Sequence, residues 1–213
     1  MDYNGTILCN VPSVEHAGAS LRKWDKTLLT WGSAIQDNQL GDLLRSDCQL
    51  AFHEAFKRWS DVCALKFQEQ DDRNADIVIY AGIQNAGQGG TLAWSELPNG
   101  SDGQLEQRYD KREAWIVADN APPTRIDLTR VACHEIGHAI GISHITPGNL
   151  LAPTYSVDIN KPQGGDIAAA QTRYGPPTTA PGDDEPGSNP GGVPLKQVVI
   201  DFLPNGKIGG TWK

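Results

Sequence analysis

His134-Glu-Ile-Gly-His138-Ala-Ile-Gly141-Ile-Ser-His144 gathers three of the chain's five histidines and one glutamate into a single short stretch. On an α-helix, positions four apart stand one above the other, so His134 and His138 present two imidazoles to a common point. Gly141, without a Cβ, lets the chain leave the helix in a left-handed conformation and swing His144 round to that point. Three neutral imidazoles are the ligand set of a catalytic zinc, because they leave the fourth tetrahedral position to water, whereas a structural zinc fills all four with protein. Glu135, beside the first ligand, is then placed as the general base that takes the proton of this water and passes it to a leaving amine. The metal polarises the carbonyl under attack, and amide hydrolysis follows. Ordinary helix histidines are the plain alternative, but Gly141 and His144 add two matched positions to the HExxH core.

These residues need a helix and a sheet to hold them. Asp127 reads as the N-cap of the helix that carries the motif, a short carboxylate able to accept the orphan amides of a first turn, and the helix is predicted to end near Gly141. Upstream, Lys26 to Trp31 reads as a first strand. From about Gly41 to Trp59, apolar residues recur at spacings of three and four and predict an amphipathic helix. Val62 to Phe67 and Asp76 to Ala81 read as strands, the second β-branched enough for an interior position. A Gly-rich loop over 82–90, a short strand Thr91-Leu-Ala-Trp94, a polar stretch from Gly100 to Asp110 and a strand from Ala114 to Ala118 complete the approach to the motif helix. A last helix is expected from Gly165 or Asp166 to Tyr174.

Between Gly175 and Pro194, eleven of twenty residues are Gly or Pro, which reads as a linker. Four segments result: 1–19 at the N-terminus, a domain over 20–177, the linker 178–194, and a tail 195–213 that reads as a hairpin about an Asn-Gly turn or as the stub of a further module.

Composition limits the remaining classes. With 38% hydrophobic and 21% charged residues, the chain reads as an ordinary soluble globular domain. A net charge of −8 repels phosphate backbones and no basic patch is present, which argues against a nucleic-acid partner. No segment is apolar for the roughly 18–20 residues of a membrane span, and the first residues lack the regions of a signal peptide. Cys9, Cys48, Cys63 and Cys133 have no CxxC spacing; two bridges and four thiols fit equally. His53 reads as a partly exposed residue of the first helix and Cys133 as buried packing, while His16 has no visible partner.

HExxHxxGxxH is the signature of the metzincins, and residues 8–177 resemble the catalytic domain of a matrix metalloproteinase. The framing matches are Lys23-Trp-Asp-Lys-Thr-Leu-Leu-Thr30, Ala55-Phe-Lys-Arg-Trp59, Ala75-Asp-Ile-Val-Ile79, Leu92-Ala93 and Asp166 through Pro177. An astacin is a weaker match, because Ile145 rather than Glu follows His144. The resemblance implies an α+β metzincin domain with a twisted, mostly parallel sheet, an active-site helix and a C-terminal helix. It implies an extracellular or cell-envelope endopeptidase, monomeric, acting on extended protein or peptide substrates. A non-catalytic or latent zinc-binding module on the same fold is the rival reading.

Residue by residue, the resemblance makes Leu92 and Ala93 the upper rim along which substrate lies, and Pro153 and Tyr155 the wall of the pocket for the residue after the scissile bond. Arg130 falls where that pocket is lined, which implies a shallow or polar floor; an exposed helix position is the alternative. Leu151 stands where metzincins carry the methionine of a turn beneath the zinc, a near volume-conserving exchange. Asp110 and Glu113 match calcium-holding carboxylates, against the alternative of a solvated charged turn. Trp94 and Arg108 stand where histidines of a second zinc would be, so no structural zinc is expected. Leu8-Cys9-Asn-Val-Pro-Ser13 resembles the segment whose cysteine holds family proenzymes latent at the zinc, although Arg, Gly and Asp of that segment are absent. Latency through Cys9 and a mere remnant or disulfide partner both stay open.

Overall fold

The computed structural model describes residue 9, residues 22–70, 74–82, 90–98 and 103–178, and the backbone of 198–202 and 208–212. The chain divides into two compact units, Met1–Thr178 and Thr179–Lys213.

In the first unit the sheet is built from β1 (Leu28–Ser33), β2 (Lys66–Glu69), β3 (Ile77–Ala81), β4 (Ala93–Ser95) and β5 (Leu105–Tyr109), in the order β2-β1-β3-β5-β4. β1 runs parallel to β2 and β3, and β3 parallel to β5; only β4, at the edge, is antiparallel to its neighbour. Ile77, Val78 and Ile79 of β3 are all buried in succession, as a strand covered on both faces requires. This is the α+β domain with a mostly parallel sheet that the sequence predicts.

β5 was not expected: the sequence suggests only a polar stretch over Gly100 to Asp110. Leu105, Gln107 and Tyr109 alternate into the core while Glu106 and Arg108 alternate outward. The central inward residue is a glutamine, which hides the period-two pattern. Its amide is satisfied internally, donating to Ser95 Oγ at 3.3 Å and accepting from Tyr109 Oη at 3.2 Å. Two further shifts are smaller. The second strand starts at Lys66 rather than Val62, and Ala114 to Ala118 contributes only β6 (Trp115–Ile116), which pairs with β7 (Ile126–Asp127) in a separate ribbon.

Helix α1 (Arg45–Ser60) lays Cys48, Ala51, Phe52, Ala55, Phe56 and Trp59 on the core at spacings of three and four. Trp31 of β1 stacks on Phe56 at 4.8 Å and meets Phe52 edge-on at 6.3 Å. His53, as expected, is a half-exposed residue of this helix, with Nε2 2.8 Å from Glu69. Helix α2 (Leu128–Ala139) follows β7 directly, and Asp127 caps it by accepting from Thr129 N at 3.1 Å. α1 and α2 close on each other at Gly137, where an added Cβ would lie 2.8 Å from the Trp59 ring and 2.6 Å from Leu151. Trp59 Nε1 donates to Cys133 O at 2.7 Å across this contact.

Helix α3 (Gly164–Tyr174) secures both ends of the motif region. Tyr174 Oη donates to Ile140 O at 2.9 Å and Trp24 Nε1 to Ala139 O at 2.8 Å, satisfying carbonyls that the C-terminus of α2 leaves open. At its other end the buried Asp166 accepts from Leu150 N at 2.8 Å, Leu151 N at 3.1 Å and Gln163 N at 2.7 Å.

The second unit contains β8 (Val198–Phe202), paired antiparallel with β9 (Ile208–Trp212). The Asn205-Gly206 turn expected between them lies outside the described residues, as does His16.

Asp166 holds three amides with one carboxylate, and truncating it strands two of them in a buried interior. Asp166→Ala is therefore expected to lower the unfolding free energy by about 3 kcal/mol or more, read from urea denaturation of the chain. A change below about 0.5 kcal/mol would show that the turn at Leu150–Leu151 holds without it.

Candidate metal centre

Every residue of α2 is buried, so the histidines on it lie in a dry interior. His134 Nδ1 lies 2.8 Å from Leu150 O, and His138 Nδ1 lies 2.7 Å from Ile142 O. A carbonyl oxygen only accepts, so each Nδ1 carries a proton, and each neutral ring turns the lone pair of Nε2 inward. Those two Nε2 atoms face each other at 3.0 Å. Two lone pairs at that separation repel unless a cation lies between them. A proton is a poor candidate, because burial, with the neighbouring imidazoles adding to it, pushes His134 well below its ordinary range and His138 down to about 3. Two lone pairs so placed could hold a metal ion.

His144 completes the set. Gly141 takes φ +87°, and an added Cβ there would sit 2.7 Å from Arg22 O, so the turn that follows α2 requires glycine on both counts. Ile142 N donates to Gly137 O at 3.0 Å and Ile145 N to Leu151 O at 2.9 Å, which brackets His144 between two anchored residues. Its Nε2 is buried with no hydrogen-bond partner among the described residues. One nitrogen from each of His134, His138 and His144, together with Cys9 Sγ, falls within a mutual distance of 4.8 Å. Three imidazoles and a thiol are a donor set of borderline softness suited to zinc.

Glu135, also on α2, is fully buried. Its Oε2 accepts from the Cys9 thiol at 3.3 Å, and Oε1 has no partner among the described residues. Burial raises its pKa well above the usual carboxylate range, with the Cys9 hydrogen bond opposing the shift. The shift favours the protonated carboxyl.

The cleft residues divide. Leu92 and Ala93 are buried; Leu92 O accepts from Asp110 N at 2.9 Å, and Ala93 lies opposite Tyr109 on the edge strand β4. The outer side of Ala93 forms a parallel bridge with Cys9, so Cys9 lies at that edge. Tyr155 is buried while Pro153 is exposed. Arg130 is 2% exposed, which corrects the exposed-helix alternative. It donates through Nη1 to Tyr155 Oη at 3.2 Å and to Ser156 O at 2.9 Å, and its guanidinium lies 5.3 Å from the centre of the Tyr155 ring.

Asp110 and Glu113 are buried, which rules out a solvated turn. Asp110 Oδ1 accepts from Arg112 N at 2.9 Å, while Oδ2 has no partner among the described residues. Trp94 and Arg108 lie opposite each other on β4 and β5, and Arg108 packs over the Tyr80 ring at 4.8 Å and donates to Glu106 Oε2 at 2.7 Å. None of the four cysteines is in a disulfide; Cys48, Cys63 and Cys133 are buried thiols whose pKa values burial pushes up.

Sequence reasoning missed the groups that aim the ligands. Leu150 O and Ile142 O are backbone atoms and leave no mark in a side-chain pattern. Asp166 was noticed only as part of a framing match, although an acid three residues after the residue that precedes a helix is a detectable capping signal.

Comparison with known proteins places this geometry. The matrixin model of peptidase family M10 matches residues 23–175. The chain is 32% identical to macrophage metalloelastase of Rattus norvegicus over 211 residues, covering 93% of this chain and 44% of that protein. It is 33% identical to metalloendoproteinase 1-MMP of Arabidopsis thaliana, covering 72% of this chain and 45% of that protein. It is also 33% identical to interstitial collagenase of Sus scrofa, covering 79% of this chain and 36% of that protein. The chain thus spans less than half the length of these relatives. A histidine cluster on a buried helix, a mostly parallel sheet with one antiparallel edge, and a match over most of the first unit agree: the chain belongs to the matrixin family.

Proposed function

We propose that this chain is a zinc-dependent endopeptidase that cleaves extended protein or peptide substrates and is held latent by Cys9. The observation that carries the reading is the pair of Nε2 atoms at 3.0 Å, oriented by carbonyls and joined by His144 beside a buried carboxylate. His134, His138 and His144 would hold the ion. Bound there, zinc supplies a Lewis acid that acidifies water and polarises a scissile carbonyl.

The chain's own residues do the rest. Glu135 accepts the proton of the attacking water as its oxygen bonds to the carbonyl carbon. It then delivers that proton to the amide nitrogen as the C–N bond breaks. The outer edge of β4 at Ala93 offers main-chain groups to an extended peptide, which would add to the sheet as a further strand. Burial raises the Glu135 pKa, which favours proton uptake by this carboxyl.

Cys9 supports a latent state on two counts. Its backbone bridges Ala93, on the edge where a substrate would lie, and its thiol lies among the imidazoles and against Glu135. A thiolate there would close the fourth ligand position, its proton passing to Glu135 and leaving the base protonated. This also gives the rival reading, a chain that holds zinc without turnover, its specific support. A location outside the cytoplasm, secreted or in the cell envelope, is inferred from the family and matches the kind of substrate proposed; the described residues contain no helix long and apolar enough to cross a membrane.

Trp94 and Arg108 in place of histidines support a single zinc per chain. Asp110, with one unpartnered buried oxygen, and the buried Glu113 three residues on support a calcium ion at the turn after β5.

On a fluorogenic peptide pool, Cys9→Ala is expected to raise chelator-sensitive turnover by roughly tenfold or more, the factor by which a closed latch depletes the competent state. Adding Glu135→Ala is expected to lower kcat/KM by roughly a hundredfold to ten-thousandfold with zinc content unchanged. Zinc-loaded Cys9→Ala that cleaves nothing would leave the binding-module reading. For the second ion, calcium at about a hundred times its Kd is expected to add about 2.7 kcal/mol of stability, and Asp110→Ala to abolish the increment in a thermal melt. A melt insensitive to calcium in the parent chain would remove the calcium assignment.

A further inference from the structure

Between Tyr155 and α3 the chain passes through residues 156–163 without a helix or strand. No backbone–backbone hydrogen bond among the described residues ties 156–160 to the rest of the domain. Two arginines supply what the backbone does not. Arg130 of α2 donates to Ser156 O at 2.9 Å, and Arg58 of α1 donates through Nη1 to Asn160 O.

The same two side chains also meet on Asp119, in the loop after β6. Arg58 Nη2 donates to the Asp119 carboxylate at 3.1 Å, and Arg130 Nη2 to the Asp119 carbonyl at 3.2 Å. The amide of Ala118 bonds to Asp127, which lies 4.0 Å from Arg130 Nε. Arg58 Nε is itself held by Glu54 Oε1 at 2.9 Å. Arg58 therefore engages three acceptors on three separate segments, which a planar five-donor fork can do and an ammonium on a flexible stem cannot. It is only 12% exposed, so the geometry is fixed by packing as well as by charge.

Arg130 precedes His134 by four residues and so lies on the same face of α2, one turn along the helix from the metal ligands. Its guanidinium fills the space toward Tyr155. A substrate side chain entering beside the histidines and running along α2 meets Arg130, and deeper entry requires Arg130, Asp119 and 155–160 to shift together. Arg58 opposes that shift from behind.

We propose that Arg58, which touches neither zinc ligands nor the general base, is a specificity-determining positioning residue: with Arg130 it braces Asp119 and Tyr155–Asn160, and this closed wall restricts the residue after the cleaved bond to small side chains. The proposal rests on the endopeptidase reading.

The test uses the full zinc-loaded chain with Cys9→Ala, alone and with Arg58→Met or Arg58→Lys, on peptides that differ only in alanine or phenylalanine after the scissile bond. Arg58→Met is expected to shift the ratio of kcat/KM toward phenylalanine by roughly tenfold, with Arg58→Lys shifting it less. Amide exchange at 156–160 is expected to accelerate while the slow amides of α2 keep their protection. An unchanged ratio overturns the proposal even if the melting temperature falls, because loss of packing alone lowers stability without changing preference. If no variant cleaves either peptide, the endopeptidase reading fails, and exchange decides the brace alone: acceleration at 156–160 supports it and unchanged exchange overturns it.

Discussion

Two imidazole lone pairs held 3.0 Å apart in a buried helix repel each other, and much of the domain serves to keep them there. The orientation comes from two backbone carbonyls, at Leu150 and Ile142, each accepting from an Nδ1. Leu150 is fixed in turn by Asp166 at the head of α3, and Ile142 by its bond to Gly137 and by the turn at Gly141. Trp24 and Tyr174 finish the C-terminus of α2, and Trp59 presses on Gly137 from α1. These contacts hold the imidazoles and the carbonyls behind them in place as one unit, so binding of an ion there would be coupled to the folding of the domain.

Legibility in the sequence tracked how local the determining physics is. The convergence of the three histidines, the Asp127 cap and the Gly141 exit depend on spacings within one helix and its ends, and these were readable. α1 was readable because its apolar face keeps a 3.6-residue period through Phe52, Phe56 and Trp59. β5 was not, because Gln107 occupies a core position by virtue of bonds to Ser95 and Tyr109, contacts that only the folded sheet creates. Arg130 read equally well as a pocket residue or a surface one. Its burial is set by Tyr155, Ser156 and Asp119, none of them neighbours on its own helix. Asp110 read more easily as a solvated turn for the same reason.

The proposed latch at Cys9 would rest on few residues. The segment lacks the flanking Arg, Gly and Asp that the family resemblance associates with a latent state, yet Cys9 reaches the imidazoles and the carboxylate together. Its position is shared between a backbone bridge to Ala93 and side-chain contacts in a dry cluster. Without a flanking ion pair, the strength of such a latch falls on the sulfur itself, since a thiolate is stabilised chiefly by the cation it meets.

The most direct measurement is zinc K-edge X-ray absorption on the zinc-loaded chain beside its Cys9→Ala form. The account predicts one zinc per chain with nitrogen scatterers at about 2.0–2.1 Å and a single sulfur at about 2.3 Å, the sulfur vanishing in Cys9→Ala while the nitrogens stay. A parent spectrum with no sulfur would contradict the latch, and loss of the nitrogen shell's fit to three imidazoles would contradict the convergence of His134, His138 and His144 on one ion.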